Sequence, residues 1–162
     1  RLFPNSDIRI YIFSGGIKSA IHLPGRFILL NQFIVEDFET PNVVAGFSII
    51  EKIKMDRHDP IERLLSFAGT RAVLRFLTTG RLNQITLEQY ARYILSLEPI
   101  TLETELIISE FESRDVNLAP YAYAIDITGE STSELIEHNK SFENRQILTK
   151  QEWLNLQSIC EG

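Results

Sequence analysis

Thr40-Pro41-Asn42-Val43-Val44-Ala45-Gly46-Phe47-Ser48-Ile49-Ile50-Glu51-Lys52-Ile53-Lys54-Met55 is the stretch on which the fold turns. Thr40 supplies a helix N-cap and Pro41 the first helical position, where a missing N–H costs nothing, so a helix is predicted from about Pro41 to Met55. Val43, Val44, Ala45, Phe47, Ile49, Ile50 and Ile53 leave its middle without a polar face, the pattern of a helix buried on nearly all sides. Only the charged end, Glu51-Lys52-Ile53-Lys54, is left to reach solvent or a cleft.

Upstream, Ile8 to Phe13 alternates apolar and mixed residues and stops at Gly15-Gly16, as a half-buried strand ending in a turn does. Ala20 to Leu23 and Phe27 to Leu30 read as two more short strands, divided by the turn dipeptide Pro24-Gly25. Downstream, Asp59-Pro60-Ile61-Glu62 resembles a capping box and opens a helix to about Thr79, stopped by Gly80. Thr86-Leu87-Glu88-Gln89 repeats that logic for a helix to about Leu97, and Thr101 starts another that ends near Ser113. Arg114 to Gly129, with Pro120 and Tyr121-Ala122-Tyr123, reads as an ordered loop or strand laid across the body. Two last helices are predicted, from about Ser131 to Glu137 and, capped by Thr149 with Glu152, to about Cys160. The expected architecture is α+β: a small N-terminal β-sheet packed on a mostly helical body around the buried helix.

The length of 162 residues suits one domain with one core, and 44% hydrophobic with 23% charged residues is an ordinary globular composition. A net charge of −6, with acids and bases interspersed, offers no basic stripe to a phosphate backbone, so nucleic acid is not an expected partner. The single Cys160 cannot form an internal disulfide and reads as a small buried hydrophobe of the last helix. The longest apolar run, Val43 to Ile50 interrupted only by Ser48, is far short of the ~20 residues a spanning helix needs. The opening residue is Arg1 rather than Met, consistent with removal of a leader, anchor or longer N-terminal region.

Taken in order, several of these segments carry a resemblance. Ser19-Ala20-Ile21-His22-Leu23-Pro24-Gly25-Arg26-Phe27-Ile28-Leu29-Leu30 resembles the strand pair of the zinc metallopeptidases of the CAAX-prenyl-protease and bacterial heat-shock-protease type, which are gluzincin-like. Their pattern is Asn-Ala-(apolar)-Ala-(apolar)-Pro-Gly-Gly before an apolar strand. Here Ser19 stands for the Asn and Arg26 for the second Gly. The next helix of that family carries H-E-x-x-H. Ala45 to Lys54 is similar to it, with Glu51 kept and Ile50 and Lys54 standing where the two histidines belong. The family's third ligand is a glutamate in an E-x-x-A-D pattern, and Glu88-Gln89-Tyr90-Ala91-Arg92 resembles that, with Arg92 in place of the aspartate. The resemblance covers about residues 8 to 95; residues 98 to 162 form a helical C-terminal extension outside it.

A catalytic zinc needs three protein ligands and a water whose proton the helical glutamate takes, and i, i+4 spacing sets two histidines on one helical face. Isoleucine has no lone pair. A protonated lysine about 4 Å from a divalent ion, at an effective dielectric of about 20, costs on the order of 8 kcal/mol. The resemblance therefore implies a degenerate member with no metal and no cofactor. For the vacated site a charge network is expected, in which Lys54 and Arg92 offset Glu51 and Glu88 and no buried carboxylate is left unpaired.

Plainer roles compete for each residue. Glu51 and Lys54 can be a solvated helical pair, and Glu88 a first-turn acid favoured by the helix dipole. His22 reads as a surface or satisfied histidine, His58 as a loop residue and His138 as a favourable C-terminal charge. No two of them share metal-ligand spacing. Tyr121, Tyr123 and Trp153 read as core or interface packing. Ser14, Ser66 and Ser131 lack a nucleophile-elbow context, and Gly15-Gly16 is a turn rather than a phosphate loop.

The family binds substrate as an extended strand against a sheet edge, and the matching edge is Ser19-Ala20-Ile21-His22-Leu23. The leading expectation is therefore a catalytically inactive accessory or scaffold subunit that holds a protein partner by β-strand addition. One rival is an active peptidase whose metal sits on other ligands, such as Glu51, Glu88 and His58 or His22. Another is a purely structural domain with an unused cleft. A membrane-associated or periplasmic setting is implied by the resemblance alone, or by a segment ahead of Arg1.

Overall fold

In the computed structural model, which describes residues 2–4, 6–16, 18–98, 100–137 and 147–160, the alternating N-terminal segments form the strands β1 (Arg9–Phe13), β2 (Ala20–Leu23) and β3 (Phe27–Asn31). The sheet is mixed, in the order β1-β3-β2. β1 runs parallel to β3 with Ile10 opposite Ile28, and β2 runs antiparallel to it with His22 opposite Ile28. Period-two alternation gives the sheet two unlike faces. Ile28 and Leu30 are fully buried on one, together with His22, while Phe27 and Leu29 stand half-buried on the other. Asn31 ties down the β1–β2 connection by donating to the carbonyls of Gly15 at 3.0 Å and Lys18 at 3.3 Å.

A short helix, α1 (Phe33–Glu36), follows, unforeseen from the sequence. Helix α2 (Pro41–Arg57) is then opened by the Thr40 hydroxyl, which accepts the Asn42 N–H at 3.3 Å. It runs two residues past the predicted end at Met55. Its residues Val43, Ala45, Ile49, Ile50 and Ile53 are buried beneath the sheet, and Ser48 is satisfied by donating to the Val44 carbonyl at 2.7 Å. The other helices are α3 (Pro60–Thr79), α4 (Gln84–Ser96), α5 (Thr104–Glu112), α6 (Ala119–Ile125), α7 (Ser133–Glu137) and α8 (Lys150–Cys160). The fold is α+β.

Several boundaries differ from expectation. Arg114 to Gly129 is not a loop or strand but contains α6, because Pro120 sits in a first helical turn, where a missing N–H is harmless. Helix α4 begins earlier than Thr86: the Asn83 side chain accepts the Ile85 N–H at 3.1 Å and is the cap. Helix α5 begins at Thr104 rather than Thr101, and Ser131 is not in a helix but donates to Asp126. Helix α3 is broken inside by Gly69 at φ 77 and ψ 166. His138 and the side chain of Cys160 lie outside the described residues. No helix among the described residues is long and apolar enough to cross a membrane.

Two positions locate backbone constraints. The β2–β3 turn places both Gly25 (φ 86) and Arg26 (φ 63) in the left-handed region, which costs an L-residue roughly 1–2 kcal/mol. At Gly46, a Cβ would stand 2.5 Å from the Tyr121 Cβ, so α2 and α6 approach as closely as they do only because that side chain is a hydrogen. Gly46→Ala should therefore cost about 1–3 kcal/mol by overpacking, while Arg26→Gly should stabilise by about 1 kcal/mol. Urea unfolding of the two variants checks both signs, and an unchanged midpoint for Gly46→Ala would reject the close α2–α6 contact.

Candidate functional site

The C-terminal half of α2 carries Glu51 into the protein. The residue is only 4% exposed, a location that must be compensated because an isolated buried charge is far costlier than an exposed one. Two groups compensate it. His22, on the buried face of β2, places Nδ1 2.8 Å from Oε2, and Lys54, one turn along α2, places Nζ 2.7 Å from Oε1. An ionised carboxylate only accepts, so the Nδ1 of His22 carries a proton toward it. Burial alone would raise the Glu51 carboxyl, but the His22 hydrogen bond and the Lys54 charge outweigh it and hold it below the ordinary glutamate value. Tyr121 of α6 packs edge-on to Phe47 with ring centres 5.1 Å apart. Burial pushes its phenol up, and the nearby Glu51 charge pushes it further.

A cleft of about 830 Å³ opens beside this cluster. Lys18 to His22 form one wall, Phe47, Ile50, Glu51 and Lys54 of α2 the floor, and Arg63 with Tyr93 to Leu95 the opposite side. β2 is an edge strand, and its peptide groups alternate. The Ser19 carbonyl accepts the Asn31 N–H at 2.8 Å, so the peptide groups of Ile21 and Leu23 also face β3. Those of Ala20 and His22 therefore point to the free edge, along the cleft.

The sequence-predicted residues divide sharply. Ile50, Glu51, Lys54 and Ser19 to His22 come together around the cleft. The expected four-membered charge network does not form: Glu88 and Arg92 lie exposed on α4, and Glu88 accepts from Gln84 Nε2 at 2.9 Å instead. With Asn83 as cap, Glu88 sits in the second turn of α4 and is not a first-turn acid either. Leu23 is also displaced from the cleft, lining an apolar cavity on the other face of the sheet.

The residue missed is His22 as the second partner of Glu51. A polar side chain between Ile21 and Leu23, in phase with Ala20, was the available signal. Of the other readings, Tyr121 and Trp153 are buried, whereas Tyr123 is 48% exposed.

A zinc ion does not fit this set. Both oxygens of Glu51 are taken by nitrogen donors, one of them the Lys54 ammonium, which repels a cation, and Glu88 and His58 are exposed elsewhere. Among the described residues no group of three or more His, Cys, Asp or Glu could hold a metal ion. No family model, curated protein or solved structure matches the chain.

Because the folded-state pKa of Glu51 is depressed, its ionisation contributes stability above the unfolded value of 4.5, and that contribution is lost as the pH falls through and below it. Thermal melts from neutral to acid pH should therefore fall more steeply for the wild type than for Glu51→Gln. Parallel curves would show that the carboxylate is not held by its two partners.

Proposed function

We propose that this chain is a catalytically inactive, metallopeptidase-like protein that binds a partner polypeptide as an added strand along the free edge of β2, as an accessory or scaffold subunit of a larger assembly. The observation that carries this reading is the contact of Lys54 and His22 with Glu51 at the floor of the cleft, directly beside that edge. In the peptidase pattern Ile50 and Lys54 occupy the histidine positions, and here Lys54 neutralises the very glutamate that would take a proton from a metal-bound water. A carboxylate bonded to an ammonium and an imidazole N–H is a poor base, and Ile50 adds an apolar wall where a ligand would be needed.

Two further features support it. The outward N–H and C=O groups of Ala20 and His22 are the pairing groups that an extended peptide requires, and they need no metal to act. Arg26, where the pattern carries its second glycine, has φ 63, a conformation that glycine adopts freely. This position therefore keeps the backbone of the pattern while losing its residue.

A photoreactive residue at Ser19 should crosslink to a polypeptide in the native cellular extract, and Ala20→Pro, which removes an outward N–H but no bond to β3, should abolish the crosslink without lowering the melting temperature. Equal crosslinking from the distant exposed position Leu154 would reject the edge as the binding site. Stoichiometric zinc in purified protein, with peptide hydrolysis lost in Glu51→Gln, would overturn the inactive reading in favour of an enzyme.

A further inference from the structure

The face of the sheet opposite α2 meets no tightly packed layer. Ile21 and Leu29 look across at the apolar side of α4, formed by Leu87, Ala91 and Ile94, and the two surfaces border a half-open cavity of about 430 Å³. That volume lies inside the range of about 300–1,000 Å³ typical of small-molecule sites. Its lining is apolar with one charged exception, Lys18. Leu87 and Leu95, which also line it, remain 45% and 43% exposed, so folding buries Tyr90 and Ile94 of this helix but leaves part of its apolar surface uncovered.

Lys18 also lines the polar cleft, together with Ile21, Ile94 and Leu95, so the two spaces adjoin at these residues. Its Nζ donates at 2.7 Å to the Leu97 carbonyl at the end of α4, which fixes the ammonium in place. Among the described residues it has no carboxylate within ion-pair distance, and Glu98, the remaining acid of the cleft, makes no ion pair with it. Arg63, half-buried in the same cleft, likewise has no carboxylate partner there.

We infer that the cavity binds a single acyl-chain carboxylate, with the chain between the sheet and α4 and the carboxylate at Lys18. The chemistry is specific in two ways. An apolar chain removes from water surface that neither β2 and β3 nor α4 covers, and a terminal anion supplies the charge that Lys18 lacks. Two of the three ammonium protons remain for that anion once Leu97 has taken one. A membrane surface is the competing source of acyl chains, and it differs in presenting many chains on a plane rather than one in a cavity. The site is independent of strand addition along β2, which uses the peptide groups of Ala20 and His22.

Titration calorimetry of the full chain with octanoate, decanoate and dodecanoate below their critical micelle concentrations tests this. Saturable one-to-one binding that tightens about fourfold per added methylene is expected. Ala91→Trp, at an exposed helical position that faces the cavity, should weaken dodecanoate at least tenfold, and Lys18→Met should do the same while leaving dodecanol binding unchanged. Leu87→Trp serves as a second cavity-filling variant, with the melting temperature of each variant as the control for folding.

Absence of saturable binding would overturn the inference. So would dodecyltrimethylammonium binding as tightly as dodecanoate, or Ala91→Trp and Leu87→Trp binding like the wild type. Co-flotation with phosphatidylglycerol vesicles without binding of monomeric dodecanoate would assign the surface to a membrane and equally overturn it.

Discussion

A carboxylate held inside a protein by two nitrogen donors is the constraint around which this molecule is arranged. Glu51 is nearly inaccessible, and removing one partner from a buried pair of this type costs about 3–5 kcal/mol, a large share of the stability of a domain this size. Its two partners come from different elements. Lys54 belongs to the same helix and would be near Glu51 in any helical conformation, but His22 is 29 residues away on β2. The His22 contact therefore fixes the edge strand over α2, and with it the wall of the cleft.

The rest of the fold serves that placement. Ile28 and Leu30 set the sheet on α2, and Gly46 lets Tyr121 close in from the other side. The same arrangement explains why the other sheet face is loosely covered. The hairpin of α3 and α4 follows Asp59 and Pro60 and meets the sheet through a few residues such as Ile94, which leaves a cavity beside them. One face of the sheet is thus committed to the buried cluster, and the other remains available.

Two residues of α2 decide what the floor of the cleft can do chemically. Ile50 and Lys54 occupy the same helical face, where imidazoles in that register would aim lone pairs at a common point. In this chain an aliphatic group and an ammonium stand there instead, and the glutamate between them is one half of an ion pair. The strand edge is untouched by this, because its hydrogen-bonding groups belong to the backbone and need no particular side chain.

Much of the architecture was legible in the chain because its signals are local. The apolar run from Val43 to Ile53, the Thr40-Pro41 start, the strand alternation and the Asp59 and Thr149 caps act within a few residues, and each is found where its own chemistry places it. The Glu51–Lys54 pair belongs to the same class, being set by helical spacing alone. What lay beyond the sequence depends on elements far apart. His22 reaches Glu51, Tyr121 folds into a helix against Gly46, and Glu88 with Arg92 faces water because α4 turns Tyr90 and Ile94 inward instead. Periodicity specifies which residues share a face of one element; which face meets which partner is decided by the packing of all elements at once, and only the tertiary structure records that result.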